Sequence, residues 1–154
     1  MKVVRTGTGK TTPSTFKRYA GVAFLYGHLI LLSKRIFEYK GKPIGHGGYW
    51  SPFAGHVEEG ESPIACAVRE VWEESGKKIK VTDLTYIKEI PREDGTFILY
   101  ACELDSIFTP ELNFEHTEYG YFKIKTLHTS PCPSCPDVVK AVRDFDAGRR
   151  KAGW

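Results

Sequence analysis

The chain has 154 residues, 41% of them hydrophobic and 27% charged, with a net charge of +3. That length fits one domain over residues 1–154 that buries about two-thirds of its unfolded surface and builds a core without disulfides. The charge is too mild to imply a duplex nucleic-acid partner, although local Lys and Arg can attract an anionic nucleotide.

No apolar run approaches the roughly 20 residues that span a bilayer, and the opening MKVVRTGTGKTTPSTFKR lacks the apolar centre of a secretory signal. The expected compartment is therefore the cytoplasm, with no membrane partner. Residues 1–15 are polar and read as a mobile segment, with Pro13 ahead of the first strand. Within them GTGKTT resembles the end of a phosphate-binding loop, but the first required glycine falls at Val4 and no full strand precedes it, which discounts that reading. Residues 18–26 and 29–34 read as strands joined at Gly27 and His28, a short-turn hairpin signal. Residues 37–49, FEYKGKPIGHGGY, form a glycine-rich loop carrying aromatics and lysines. A helical stretch follows. Residues 81–90 and 97–104 then pair as a hairpin around a turn at residues 92–95, and a last strand lies near residues 119–125. A final helix spans about residues 136–147, opened by Pro136 and capped by Ser134. Residues 148–154 are a basic tail containing Arg149, Arg150 and Lys151. Cys132 and Cys135 form one CxxC, which cannot fill a four-ligand zinc site without His128, Cys66 or Cys102, so the thiols are expected to stay reduced.

The helical stretch carries the chemistry. In GHVEEGESPIACAVREVWEESG, residues 55–76, the carboxylates of Glu70, Glu73 and Glu74 recur at spacings of three and four, which on a helix places them on one face. Ile64, Val68, Val71 and Ser75 fall on the opposite side, with Trp72 at its edge, and only Cys66 shares the outer face with the glutamates. Glu61 and Ser62 precede Pro63, which suits the first turn, and Gly76 is a natural stop. Neighbouring like charges on a helix repel, so the cluster implies a cation, and oxygen-only ligands point to Mg2+, with Mn2+ as a substitute. A solvated acidic face is the plain alternative.

Gly55, Glu61, Arg69, Glu70, Glu73, Glu74 and Gly76, at these spacings, resemble the signature of the Nudix hydrolase family. One position departs: Lys77 and Lys78 precede Ile79 where the family usually places an aliphatic residue directly after the final glycine. The segments AGVAFLYGHLILLSKR, WSPFAGHVEEGE and EHTEYGYF are similar to other parts of such proteins, so the resemblance covers roughly residues 18–126. It implies an α/β fold, a mixed sheet sandwiched by helices in an α/β/α arrangement, and metal-dependent hydrolysis of a pyrophosphate bond in a nucleotide-derived small molecule. Glu70, Glu73, Glu74, Glu115 and the backbone carbonyl around Gly55 would hold the metal, and Glu61 would belong to the same site. Arg69 is expected to fix a box carboxylate by paired hydrogen bonds.

Glu115 and Glu74 are both candidates to accept the water proton, with Glu118 and His116 as sequence neighbours of Glu115. Ordinary surface or core roles are expected for His116 and the other histidines. Phe37, Tyr39, Tyr49, Trp50 and Phe53 offer surfaces on which a base could stack, with Arg35, Lys40 and Lys42 near enough for phosphates. Two rival functions stay open: a catalytically silent nucleotide sensor or binding module, and an RNA-cap hydrolase using the basic tail. The oligomeric state, a homodimer included, is also open.

Overall fold

Two apolar runs, residues 20–25 and 97–102, set the middle of the molecule, because strands buried on both faces lose the usual polar alternation. The computed structural model describes residues 3–5, 11–13, 16–43, 47–129 and 135–151. Residues 7–10 of the discounted GTGKTT loop, the Ser134 cap and Cys132 lie outside them.

β1 (Val3–Arg5) and β2 (Thr11–Pro13) form a small antiparallel pair. β3 (Lys17–Tyr26) and β4 (Leu29–Arg35) are the expected hairpin, and the glycine-rich loop after them holds a second small pair, β5 (Glu38–Tyr39) and β6 (Lys42–Pro43). β7 (Trp50–Ser51) and β8 (Phe53–His56) lead into α1 (Pro63–Ser75). β9 (Leu84–Arg92) and β10 (Gly95–Glu103) are the second hairpin, β9 starting three residues late because residues 81–83 form a 3-10 turn. β11 (His116–Lys123) starts three residues before the expected position, and α2 (Pro136–Lys151) runs four residues beyond it.

The main sheet has the order β11-β4-β3-β10-β9, with β7 added to β4 and β8 to β3. β3 and β10 run parallel while the other pairs are antiparallel, so the sheet is mixed. Alternation sorts the core into two layers. Ala20, Val22, Phe24, Ile98 and Tyr100 pack with Cys66, Ala67 and Val71 of α1. Ala23, Leu25, Leu99 and Ala101 pack with Val138, Val139 and Val142 of α2 on the other face. This is the expected α/β sandwich.

Helix α1 obeys its punctuation. The Ser62 hydroxyl accepts from the Ala65 N–H at 3.2 Å, Pro63 opens the first turn, and Gly76, at φ 72°, closes the helix with its N–H on the Trp72 carbonyl. That left-handed conformation is the reason for a glycine there. Lys77 and Lys78 spread over the rings of Phe108 and Trp72, at 4.9 and 5.1 Å, and Ile79 supplies the delayed apolar contact.

Two expectations are corrected by packing. Cys66, placed on the outer face by helical spacing, is fully buried because β8 covers that side too, its sulfur lying 3.7 Å from the Gly55 carbonyl oxygen. Arg149 belongs to the last turn of α2 rather than to a basic tail. It is buried, donating to Glu103 (2.6 Å), to Asp146 (2.9 Å) and to the Gly27 carbonyl, and so clamps α2 to the sheet.

Candidate active site

The site is built where β8 meets α1. Antiparallel pairing sets Gly55 opposite Ala20, and the absence of a side chain there lets the Glu70 carboxyl lie against the strand. A Cβ at residue 55 would fall 2.1 Å from Glu70 Cδ.

Arg69 organises the outer half. Its Nε and Nη2 donate to the two Glu61 oxygens at 2.8 and 3.0 Å, Nη1 donates to Glu70 (2.9 Å) and Glu73 (3.2 Å), and Nη2 also reaches the His56 carbonyl at 3.1 Å. This paired, hydrogen-bonded guanidinium holds the Glu61 carboxyl down at about 2. Glu61 thus anchors Arg69 across the turn that starts the helix.

The three box carboxylates sit at different depths. Glu73 is half exposed and engaged by Arg69, Glu70 is largely covered, and Glu74 is buried, not part of an outward ridge. Both Glu74 oxygens are held, Oε1 by the Ala54 N–H at 2.8 Å and Oε2 by His116 Nε2 at 3.1 Å. His116 is buried as well, and its Nδ1 lies 2.7 Å from the Ser33 hydroxyl. Burial, then the Glu74 charge, pushes Glu70 up to about 7; burial, then Glu115, pushes Glu74 up to about 9. Burial pushes His116 down to about 4, so its contact with Glu74 is a hydrogen bond rather than an ion pair.

Carboxyls crowded until they resist ionisation fit a divalent cation, which would restore their charged forms. One atom each of Glu74, Glu115 and His116 lies within 4.8 Å of the others, and the two carboxylates are the oxygen donors a hard cation prefers.

A cavity of about 640 Å³ opens beside this group. Glu70, Glu115, Gly55 and Arg35 line it, and Arg35 Nη1 stands 3.6 Å from the Glu115 carboxylate. Glu73 and Glu74 are not among its lining residues. Tyr49 and Trp50 contribute to the wall. Phe53 does not: it is fully buried, edge-on to Phe24 and to the His116 ring, because the alternation of β8 turns it under the sheet. Phe37 is exposed, and Tyr39 stacks on Phe114 at 4.5 Å between ring centres; neither lines the cavity.

Other lining residues escaped the sequence reading. Tyr19 donates to Asp94 at 2.8 Å, and Arg92 lies 4.9 Å over the Phe97 ring with Nη1 3.1 Å from the Cys135 sulfur. Phe97 stands opposite Tyr19 in the parallel β3–β10 register, a pairing between distant segments.

Among curated proteins, the chain is 31% identical over 86 residues to the NAD-capped RNA hydrolase NudC of Chromobacterium violaceum. That match covers 56% of this chain and 32% of NudC, so the chain spans about a third of that relative's length. The fold resembles an Ap4A hydrolase from C. elegans, with a TM-score of 0.68, 19% identity, and coverage of 86% of this chain and 98% of that one. It also resembles a MutT protein from Methanosarcina mazei Go1, with a TM-score of 0.67, 17% identity, and coverage of 90% and 99%. The NUDIX domain family model matches residues 15–142, a span that contains the sheet, α1 and every site carboxylate described above, and the chain belongs to the Nudix family.

Proposed function

We propose that the protein is a divalent-metal-dependent pyrophosphohydrolase acting on a nucleoside diphosphate derivative. The observation that carries this reading is the convergence of Glu70, Glu115 and Arg35 on one cavity that is also walled by Tyr49 and Trp50. Such a cavity offers groups for a phosphate chain beside flat surfaces for a base.

Glu70, Glu74, Glu115 and the Gly55 carbonyl would hold Mg2+, or Mn2+ in its place. A cation bound there supplies charge neutralisation for the diphosphate and lowers the pKa of a coordinated water. Arg69 keeps Glu70 and Glu73 in place through its hydrogen bonds and is itself fixed by Glu61. Arg35 faces the cavity and can take a phosphate oxygen while steadying Glu115. Tyr49 and Trp50 orient the base, so that the scissile phosphorus is brought to the carboxylates. Glu115 and Glu70, which line the cavity, are better placed than Glu74, which does not, to accept the proton of the attacking water.

The experiment is product analysis with Mg2+ or Mn2+ across nucleoside triphosphates, ADP-ribose, dinucleoside polyphosphates, NAD and capped RNA. Because relatives are named for Ap4A and for NAD-capped RNA, those substrates come first. Release of a nucleoside monophosphate or pyrophosphate supports the proposal. Nucleotide binding without turnover on every substrate would replace it with the sensor reading.

A further inference from the structure

We propose that His116 is a positioning residue, delivered to the site by a bulge in β11, whose Nε2–H holds the Glu74 carboxylate in the orientation the cation site needs; the proposal rests on the metal-dependent reading above. The geometry begins with strand parity. Tyr121 packs in the α1 layer and Phe122 in the α2 layer, so regular alternation counted back along β11 sends His116 toward α2. The pairing with β4 slips between His116 and Glu118, placing His116 opposite Arg35 and Glu118 opposite Lys34. That extra residue reverses the parity and turns the imidazole to the α1 side, a recognised use of a bulge beside a site.

Ser33 is waiting there. Leu31 lies in the α1 layer, and two residues on Ser33 points the same way, its hydroxyl 2.7 Å from Nδ1. The other ring nitrogen lies 3.1 Å from Glu74 Oε2, while the Ala54 N–H holds Oε1 at 2.8 Å. With a cation bound, Glu74 would be ionised and could only accept hydrogen bonds, so Nε2 would donate to it and the Ser33 hydroxyl would complement Nδ1. With both ring nitrogens engaged, the imidazole orients a ligand and does not itself ligate. Partners of metal-binding carboxylates typically matter by about 10-fold to 100-fold in metal affinity.

The test uses His116→Gln and His116→Asn. The Gln amide nitrogen can occupy the position of Nε2 and reach Glu74, whereas Asn can satisfy only Ser33. Mn2+ affinity is measured by electron paramagnetic resonance on the protein without substrate, beside melting temperature, kcat and KM. H116N is expected to weaken Mn2+ binding about 10-fold to 100-fold, lower kcat and leave KM for the nucleotide unchanged, while H116Q stays within about threefold of wild type. Equal Mn2+ affinity in H116N and wild type would overturn the proposal, as would nitrogen coupling from an imidazole ligand in the pulsed spectrum of bound Mn2+. If both variants lose affinity only in proportion to a shared fall in melting temperature, the role is structural and the proposal fails. A wild-type protein that binds no Mn2+ overturns both this proposal and the metal-dependent reading, whereas an active wild type with an indifferent H116N overturns this proposal alone.

Discussion

Replacing Gly55 by alanine separates the site from the fold. The new Cβ would stand 2.1 Å from Glu70 Cδ, and ordinary contact begins at 3.4 Å, so the carboxyl must retreat by about 1.3 Å. The obstructing atoms belong to the end of a flexible side chain, so the strand keeps its place and the fold loses about 1 kcal/mol, the low end for overpacking. For a domain of this size that is a fall of roughly 2–4 °C in melting temperature. The reaction is less forgiving. A misplacement of about 1 Å in a positioned group costs on the order of 100-fold, or about 2.7 kcal/mol of transition-state stabilisation. The assay pairs kcat/KM on the best nucleotide substrate with a thermal melt of the same preparation. A G55A protein within threefold of wild-type kcat/KM would refute the claim that the Glu70 carboxyl must lie against the strand. A variant that fails to fold would refute the claim that a side chain absorbs the clash.

Further predictions address the supporting elements. Arg69 depresses Glu61 from its ordinary value of 4.5 to about 2, so the stabilisation is fully present above about pH 4.5 and disappears as the pH falls toward 2. Glu61→Gln should remove about 1–2 kcal/mol at pH 7, allowing for solvent screening, and flatten the acid limb of a urea-stability profile; an unchanged limb would contradict the assignment. Arg149→Ala takes the clamp from buried Asp146, which keeps its His28 contact, and releases Glu103, and should cost about 3 kcal/mol, a melting temperature lower by roughly 6–12 °C, with a wild-type melt as the contrary result. Tyr49→Ala should raise KM up to about 10-fold while kcat holds, and an unchanged KM would remove Tyr49 from base recognition.

How much of this was legible in the chain depended on how local each feature is. Ser62, Pro63 and Gly76 bound α1 through cap, ring and φ angle, all properties of neighbouring residues, so the helix was read to its ends. The spacing of Glu70, Glu73 and Glu74 likewise gave their shared side. Helical spacing does not reveal what lies over a face, however, and β8 covers enough of this one to bury Glu74 and Cys66. Phe53 was misread for a similar reason, because a four-residue strand after Pro52 offers too little alternation to reveal which layer it joins. His116 was hidden by the bulge, since parity counted from Tyr121 points it away from α1 and nothing local marks the slip between His116 and Glu118. Tyr19 and Phe97 meet only through a parallel register between segments some 80 residues apart, which the residues of neither strand specify alone.

The most direct measurement is hydrolysis of the preferred nucleotide substrate in Mg2+, with wild type beside Glu74→Gln and each repeated in excess chelator. Wild type should turn over only with the metal. Glu74→Gln should retain the fold and fall by at least about 100-fold, since it removes a charge from a preorganised site. Undiminished turnover by Glu74→Gln, or by wild type in chelator, would contradict the account.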